Sequence, residues 1–354
     1  MRTRHRRFVA AAVVGALIAS AAPRAFAAPD TGRVVTDDVG REVKMPAEVK
    51  RIVTLAPNLT ETVYALGLGD RLAGDTDYCD TPPEAKSKPH VGNPQNPSLE
   101  AIVALHPDLV LATTSINRVA TADALERLGI AVYTTAGDTQ TVRGMLDSIA
   151  RLADLIGAGQ QGAEVIGQMR QRLDALHARL ADRPVVHVLF VVWEQPLITI
   201  GQNTFIADAL RWAGAESVVL SKQNWPQLSI EEVVRLQPDY IVFTGGHSGA
   251  AATELADLRS RPVWRDLDAV EMGHVVDVSE EAVRPSPGLV DAIEQLAHEV
   301  HPEVFSQKDE TRNSKFAMQA LESVGAGPDR IGTQETRLKR APTTGCGRLP
   351  PCAR

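Results

Sequence analysis

The stretch SLEAIVALHPDLVLA runs from Ser98 to Ala112, and SIEEVVRLQPDYIVF runs from Ser229 to Phe243. The offset is 229 − 98 = 131 residues; six of the fifteen positions are identical and four more exchange Leu, Ile and Val. Each copy reads as the same unit. A Ser N-cap opens a short helix, a Pro-Asp pair ends it, and a buried strand follows. A unit written twice at one offset predicts two similar lobes with this helix and strand in the same place in each.

The neighbouring sequence extends the pattern on both sides. VVTDDVGREVKMP (34–46) alternates around a Gly-containing turn and predicts a hairpin. RIVTLAP, RLAGDTD, DLVLAT and IAVYTT read as strands, separated by the helical stretches NLTETVYALGLG, SLEAIVALH and VATADALERLG. The second half alternates in the same way, from VVHVLFVVW through a helix burying Ile206, Ala209, Leu210 and Ala213, then DYIVFTG and a final helix in SPGLVDAIEQLAHEV. Strand and helix in alternation predict parallel sheets covered on both faces. Between the halves, helical spacing runs from Gln160 to Ala181, a rod of roughly 33 Å at about 1.5 Å per residue. The expected divisions are a first lobe over 28–159, a connecting helix over 160–182 and a second lobe over 183–305.

The two ends have a different character. MRTRHRRF followed by VAAAVVGALIASAA and the small-residue site Ala25–Ala27 predicts a signal peptide over 1–27, and so an exported, periplasmic protein. Residues 306–354 carry nine Lys and Arg against five acids with little periodicity, and read as a disordered tail. Cys346 and Cys352 could pair in an oxidising compartment, which leaves Cys79 over. The whole chain has a formal charge of −7; without residues 1–27 it becomes 32 − 44 = −12, which excludes the basic face that nucleic-acid binding wants.

Catalytic signatures fail one by one. GGHSGA (245–250) has Ala250 where a hydrolase elbow needs Gly, so a secreted hydrolase using Ser248 and His247 lacks its motif. GLGDRL fails the dinucleotide pattern at its last position. The nine His show no metal-ligand spacing; His106 and His298 are read as helix-surface residues, and Asp75, Asp77 and Asp80 as solvated loop carboxylates. No enzyme and no bound metal is expected. Ligands of parallel α/β lobes lie at the carboxyl ends of the strands. The loops there carry Tyr78, Trp193 and Trp225, flat apolar faces with one polar edge. Their cations are few, notably Arg118 and Arg284, which suits a ligand of low negative charge.

These residues reach a family. RIVTLAPNLTETVYALGLGDRLAG, TDYCDTPPEA, NPSLEAIVALHPDLVLAT, LITIGQNTFIADALRWAGAE, NWPQLSIEEVV and RPSPGLVDAIEQLA resemble the periplasmic binding proteins of ABC importers for cobalamin and iron complexes, across Val34 to Phe305. The resemblance implies an α/β fold of two Rossmann-like lobes with parallel central sheets, joined by a single long α-helix, with the ligand between them. It is nearest to the cobalamin-binding branch, although GNPQNP stands where cobalamin binders carry a Trp. By this likeness Tyr78 and Trp225 stack on a corrin, Trp193 lies near it and Arg284 is a polar contact. Haem, with Tyr78 as axial ligand, and a ferric siderophore are the rival ligands. The resemblance also gives the repeated Glu100 and Glu231 a role, pairing with Arg on a permease dimer that works with its ATPase. The simpler reading is that each complements its helix N-terminus. The protein itself is expected to be a monomer.

Overall fold

The hairpin expected in 34–46 forms as β1 (Arg33–Thr36) and β2 (Glu42–Met45), paired antiparallel. It opens a computed structural model that describes residues 32–137, 141–244 and 251–305. The expected leader at 1–27, the tail at 306–354 with Cys346 and Cys352, and Ser248 with His247 lie outside the described residues. No helix among the described residues is long and apolar enough to cross a membrane.

The first lobe runs β3 (Ile52–Thr54), α1 (Pro57–Ala65), β4 (Leu72–Gly74), α2 (Leu99–Ala104), β5 (Leu109–Thr113), α3 (Val119–Arg127) and β6 (Val132–Thr135). Its sheet has the order β4-β3-β5-β6 with every pairing parallel. Parallel neighbours are buried on both faces, and β5 accordingly buries all five of its residues. Next come α4 (Val142–Leu155) and α5 (Gly159–Leu180). The second lobe runs β7 (Val186–Glu194), β8 (Leu197–Thr199), α6 (Phe205–Trp212), β9 (Ala215–Ser217), α7 (Ile230–Leu236), β10 (Tyr240–Thr244), α8 (Ala251–Ser260), α9 (Asp268–Met272), β11 (Val275–Val278) and α10 (Leu289–Val300).

The two copies of the repeated stretch become α2-β5 and α7-β10, with the 131-residue offset kept at the first residue of each element. β5 lies beside β3, and β10 lies beside β7, so the copies occupy the same place in the two sheets. The residue before each Pro, His106 and Gln237, turns the chain in the left-handed region at φ 46° and 43°. A residue before Pro is pushed out of the right-handed helical region, which is why the helix stops there in both copies. His106 is therefore an exposed turn residue after α2, not a helix residue as expected. The Asp after each Pro then pins the start of the neighbouring strand. Asp108 Oδ2 accepts the Lys50 and Arg51 amides, both at 2.8 Å, and Asp239 Oδ2 accepts the His187 amide at 2.8 Å.

The second sheet departs from the all-parallel expectation. β9, β10 and β11 are parallel to their neighbours, but β8 pairs antiparallel with the last residues of β7. Gln195 and Pro196 alone separate β7 from β8, and so short a link can only reverse the chain, since a parallel neighbour needs a crossover.

α5 is a 22-residue helix, as its spacing predicts. Its buried residues, Gly162, Ile166, Met169, Leu173, Leu176 and Leu180, recur every three or four positions and form one stripe. α4 packs along it, and at Gly162 a Cβ would stand 2.4 Å from the Ala153 Cβ, so only Gly permits that approach. α4 also reaches the second lobe, because Asp208 Oδ2 on α6 accepts the Val142 amide at 2.8 Å. Non-covalent contacts thus tie the lobes together alongside the chain itself.

Candidate functional site

The carboxyl ends of both sheets carry the aromatic residues singled out in the sequence. Tyr78 follows β4 and is 58% exposed. The loop beneath it is anchored rather than loose. Cys79 is buried and its Sγ accepts the Thr60 hydroxyl of α1 at 3.1 Å. Burial pushes the Cys79 thiol pKa up, so the group stays protonated and acts as packing. Asp75 holds the other end of the loop. It is fully buried, which corrects the expectation of a solvated carboxylate, and it bonds His90 Nδ1 at 2.6 Å. Burial raises the Asp75 pKa to about 6, with His90 and Lys88 opposing the shift. Asp77 and Asp80 are exposed, as expected.

In the second lobe Trp193 sits on β7 at 49% exposure, with its indole nitrogen donating to the Gln195 carbonyl at 2.8 Å. Trp225 is 52% exposed and so is no plug of the core. Its loop is laced to the chain around β8: Thr199 donates to the Pro226 carbonyl, Gly201 to Asn224 and Gln202 to Ser221. At Gly201 a Cβ would lie 1.8 Å from the Gln223 carbonyl oxygen, so this lacing requires Gly. An exposed indole is thereby held on a fixed backbone, which lowers the ordering cost of stacking on a ligand. Trp264 packs against the second-lobe core and Trp212 meets His177 edge-on, which agrees with their reading as packing residues.

Arg284 does not stand open in the cleft. Its guanidinium bonds Glu61 of α1 at 3.2 Å and also Glu280. The Glu61 contact crosses from the second lobe to the first. Glu61 is 5% exposed; its pKa is raised first by burial, with Ser286 and Arg284 opposing. The Ser286 hydroxyl and Glu61 Oε2 are both buried beside this pair. No sequence motif marks Glu61, because its partner lies 223 positions away. Beside this pair the lobes meet closely. Pro285 closes against Asn58, Thr62 and Met145 around a space of only about 20 Å³. Arg118 stands exposed at the N-cap of α3.

Glu100 and Glu231 are both exposed in the first turns of α2 and α7. Their surroundings differ. Glu100 accepts the Ser98 hydroxyl at 3.2 Å and lines an open groove of about 580 Å³ with Asp77 and His90. At the matching place in the second lobe a groove of about 560 Å³ is lined by Lys222, Arg235 and Glu232. There Ser229 serves Glu232 in a complete capping box, and backbone and hydroxyl bonds from Ser229 lower the Glu232 pKa. No cluster of metal-ligating residues occurs among the described residues.

Comparison with known proteins agrees with this architecture. The family described as periplasmic binding protein matches residues 52–282. The ABC transporter substrate-binding lipoprotein YvrC of Bacillus subtilis is 32% identical over 77% of this chain and 87% of its own length. The crystal structure of the periplasmic vitamin B12 binding protein BtuF of Vibrio cholerae superposes with a TM-score of 0.60 at 29% identity, covering 71% of this chain and 96% of that one. The periplasmic heme-binding protein RhuT from Roseiflexus sp. RS-1 has a TM-score of 0.64 at 22% identity, over 73% of this chain and all of that one, and shares the fold. A family match across both sheets and the helix between them, together with these relatives, shows that this chain belongs to the periplasmic binding protein family.

Proposed function

We propose that the chain is the periplasmic substrate-binding component of an ABC importer, and that it carries cobalamin or a related corrinoid between its lobes to a permease and its ATPase. One observation carries the choice of ligand. Tyr78 and Trp225 on anchored loops and Trp193 near the end of β7 are half-exposed, while the Arg284 guanidinium is already neutralised by Glu61 and Glu280. A large flat ligand with little negative charge fits such a surface. Tyr78 and Trp225 supply stacking faces, and Trp193 supplies a third contact. Arg284 reaches a ligand by its edge, since its charge serves the seam between the lobes. The relative that binds vitamin B12 supports this reading at 29% identity.

Haem is the second reading, favoured by one feature, the exposure of Tyr78, whose phenol is a known type of haem iron ligand. A ferric siderophore would favour a more basic cleft than these loops provide. The absorption spectrum of protein purified from its native host separates the three, because corrinoid, haem and ferric siderophore have distinct bands. Thermal melting supplies the companion test: saturating cyanocobalamin should raise the melting temperature by mass action. Haem raising it while cyanocobalamin does not would overturn the corrinoid assignment. Glu100 and Glu231 take the role of docking carboxylates towards the permease. In βαβ units the helix runs opposite to the strands, so both lie at the same end as the ligand loops.

A further inference from the structure

Glu61 and Arg284 meet from opposite lobes, each at the carboxyl end of a sheet. Glu61 lies on α1, which follows β3, and Arg284 lies between β11 and α10. Arg284 Nη1 donates to Glu61 Oε1 at 3.2 Å, and Nη2 donates to Glu280. The backbone beneath the guanidinium is fixed as well. The Arg284 amide donates to the Glu281 carbonyl at 3.1 Å, and the Arg284 carbonyl accepts the Ser286 amide at 2.9 Å. Burial disfavours the charge on Glu61, and Ser286 and Arg284 support it. α10 also begins beside this carboxylate, since a Cβ on Gly288 would stand 3.7 Å from Glu61 Oε2, and a helix start favours negative charge. The Arg284 side chain is 20% exposed, so part of its edge meets solvent. A guanidinium has five N–H donors, and these two bonds leave others for a ligand. Its charge is already committed. One cation faces two bonded carboxylates, with Glu281 as a third acid beside Glu61. A neutral carbonyl can accept from such a group, whereas a ligand carboxylate arrives where the local charge sum is negative.

We infer that Glu61 is a positioning residue that sets the charge selectivity of the ligand site. It aims the Arg284 guanidinium and, with Glu280, cancels its charge, so that Arg284 offers hydrogen bonds to an uncharged arm of the transported macrocycle and no counter-ion to a carboxylate. The inference rests on the corrinoid reading above. Cobalamin carries carboxamide arms, whose carbonyls accept N–H donors, and haem carries two propionates. Without Glu61 the guanidinium would pair with Glu280 alone. The Glu280 side chain is 51% exposed, so water and salt weaken its hold on the cation. Arg284 would then serve a propionate or a hydrolysed arm as counter-ion. One contact therefore joins the lobes and keeps the cation between them from selecting anions.

The experiment is calorimetric titration of the full chain with cyanocobalamin and with its monocarboxylic acid isomers, each having one arm hydrolysed. Wild-type protein should prefer cyanocobalamin over the isomer whose acid lies nearest Arg284. Glu61→Gln keeps an acceptor for the guanidinium and removes the charge, and should narrow that preference by about five-fold. The other isomers should move little, whereas a purely structural role would shift every isomer alike. Glu61→Gln combined with Arg284→Gln should return the ratio to about the wild-type value, because the released cation is gone. Glu280→Gln, at an exposed position, should narrow the same preference by about two-fold and serves as the test should Glu61→Gln not fold. Equal wild-type affinity for every isomer, ratios unchanged in both single variants, or a narrowing that persists without Arg284 overturns the inference while leaving the corrinoid reading standing. Wild-type protein that binds haem and not cyanocobalamin overturns the reading itself, and the inference with it.

Discussion

The two lobes share a plan and differ in what they do with it. In both, the repeated stretch gives a capped helix, a left-handed residue before Pro, an Asp that pins the neighbouring strand, and a buried strand beside the first strand of the sheet. Outside that frame the lobes diverge. The first presents one exposed Tyr on a loop anchored by buried Asp75 and Cys79, and the second presents two exposed Trp beside an antiparallel strand. The groove beside the first helix is lined by Asp77, His90 and Glu100, and the groove beside the second by Lys222, Arg235 and Glu232. The repeat thus fixes the backbone, while the loops at the strand ends set the exposed aromatics and the surface charge of each lobe separately.

The largest test of this asymmetry lies in the aromatics. Trp225→Ala should weaken cyanocobalamin binding by about 1–3 kcal/mol through lost aromatic burial. Tyr78→Ala should cost less, about 1 kcal/mol, since its ring is smaller and more exposed. Because both rings are half-exposed and their backbones are held independently, melting temperatures of the free proteins should change little. Titration beside melting checks this. A large stability loss at Trp225 with unchanged affinity would return that residue to the core and remove the second lobe from the ligand site.

The repeated Asp offers a finer test within the shared frame. Asp108 accepts two backbone amides and Asp239 one. Hydrogen bonds to a charged acceptor contribute about 1.5–3 kcal/mol when buried and less at exposed sites such as these. Asp108→Ala should therefore destabilise the protein by about 2 kcal/mol and Asp239→Ala by about 1 kcal/mol. Urea unfolding of the two variants measures the difference, and an equal cost would mean that the second amide at Asp108 contributes nothing.

Much of this frame was legible in the sequence. Ser98 and Ser229 were readable as caps, Ser229 with Glu232 as a capping box, and the 22-residue helix from its spacing. α4 was also readable, because Val142, Met145, Leu146, Ile149, Leu152 and Ala153 follow helical spacing, yet no expectation covered it. β8 was missed because three residues are too few to show a period, and its direction depends on the link at Gln195 and Pro196. The site was legible in its exposed aromatics and not in its charges. Local sequence cannot show that Arg284 meets Glu61, that Glu254 is buried, or that Asp75 lies inside rather than in solvent. Each depends on packing between segments far apart in the chain.

The Asp75–His90 pair belongs to the first lobe only, since Ser221 stands at the position matching His90. A carboxyl whose pKa is raised on folding, here to about 6, binds its proton more tightly in the native state. Stability is then lost as pH rises from the ordinary carboxylate range near 4 through about 6, and the loss is complete above that window. Asp75→Asn removes this loss. The stability of the variant relative to wild type should therefore increase between about pH 4 and pH 6 and then level off, by about 1 kcal/mol after allowance for the bond to His90. A relative stability that is flat over this range breaks the contrast with the second lobe.

The smallest expected effect concerns the two proposed docking carboxylates, where the lobes should prove unequal. Glu100 is tethered by Ser98 in a groove whose other charged lining residue is Asp77, so an arriving permease cation meets attraction there. Glu231 adjoins a lobe whose groove carries Lys222 and Arg235, which repel the same cation. Single exposed charges contribute about 0.2–1 kcal/mol, so each change should alter docking by a few-fold at most. Glu100→Ala should accordingly reduce uptake in reconstituted vesicles more than Glu231→Ala, with the affinity for free ligand unchanged in both. Charge reversal to Lys should deepen the loss at Glu100. Lys222→Ala with Arg235→Ala should improve docking at the second lobe and bring the two glutamates closer to equal weight. Added salt should compress all of these differences, because exposed charges are screened over about 8–10 Å at ordinary ionic strength. Equal losses at the two glutamates, insensitive to salt, would show that the grooves do not modulate docking. Normal uptake by the double Lys variant would leave both as residues that serve only the start of a helix.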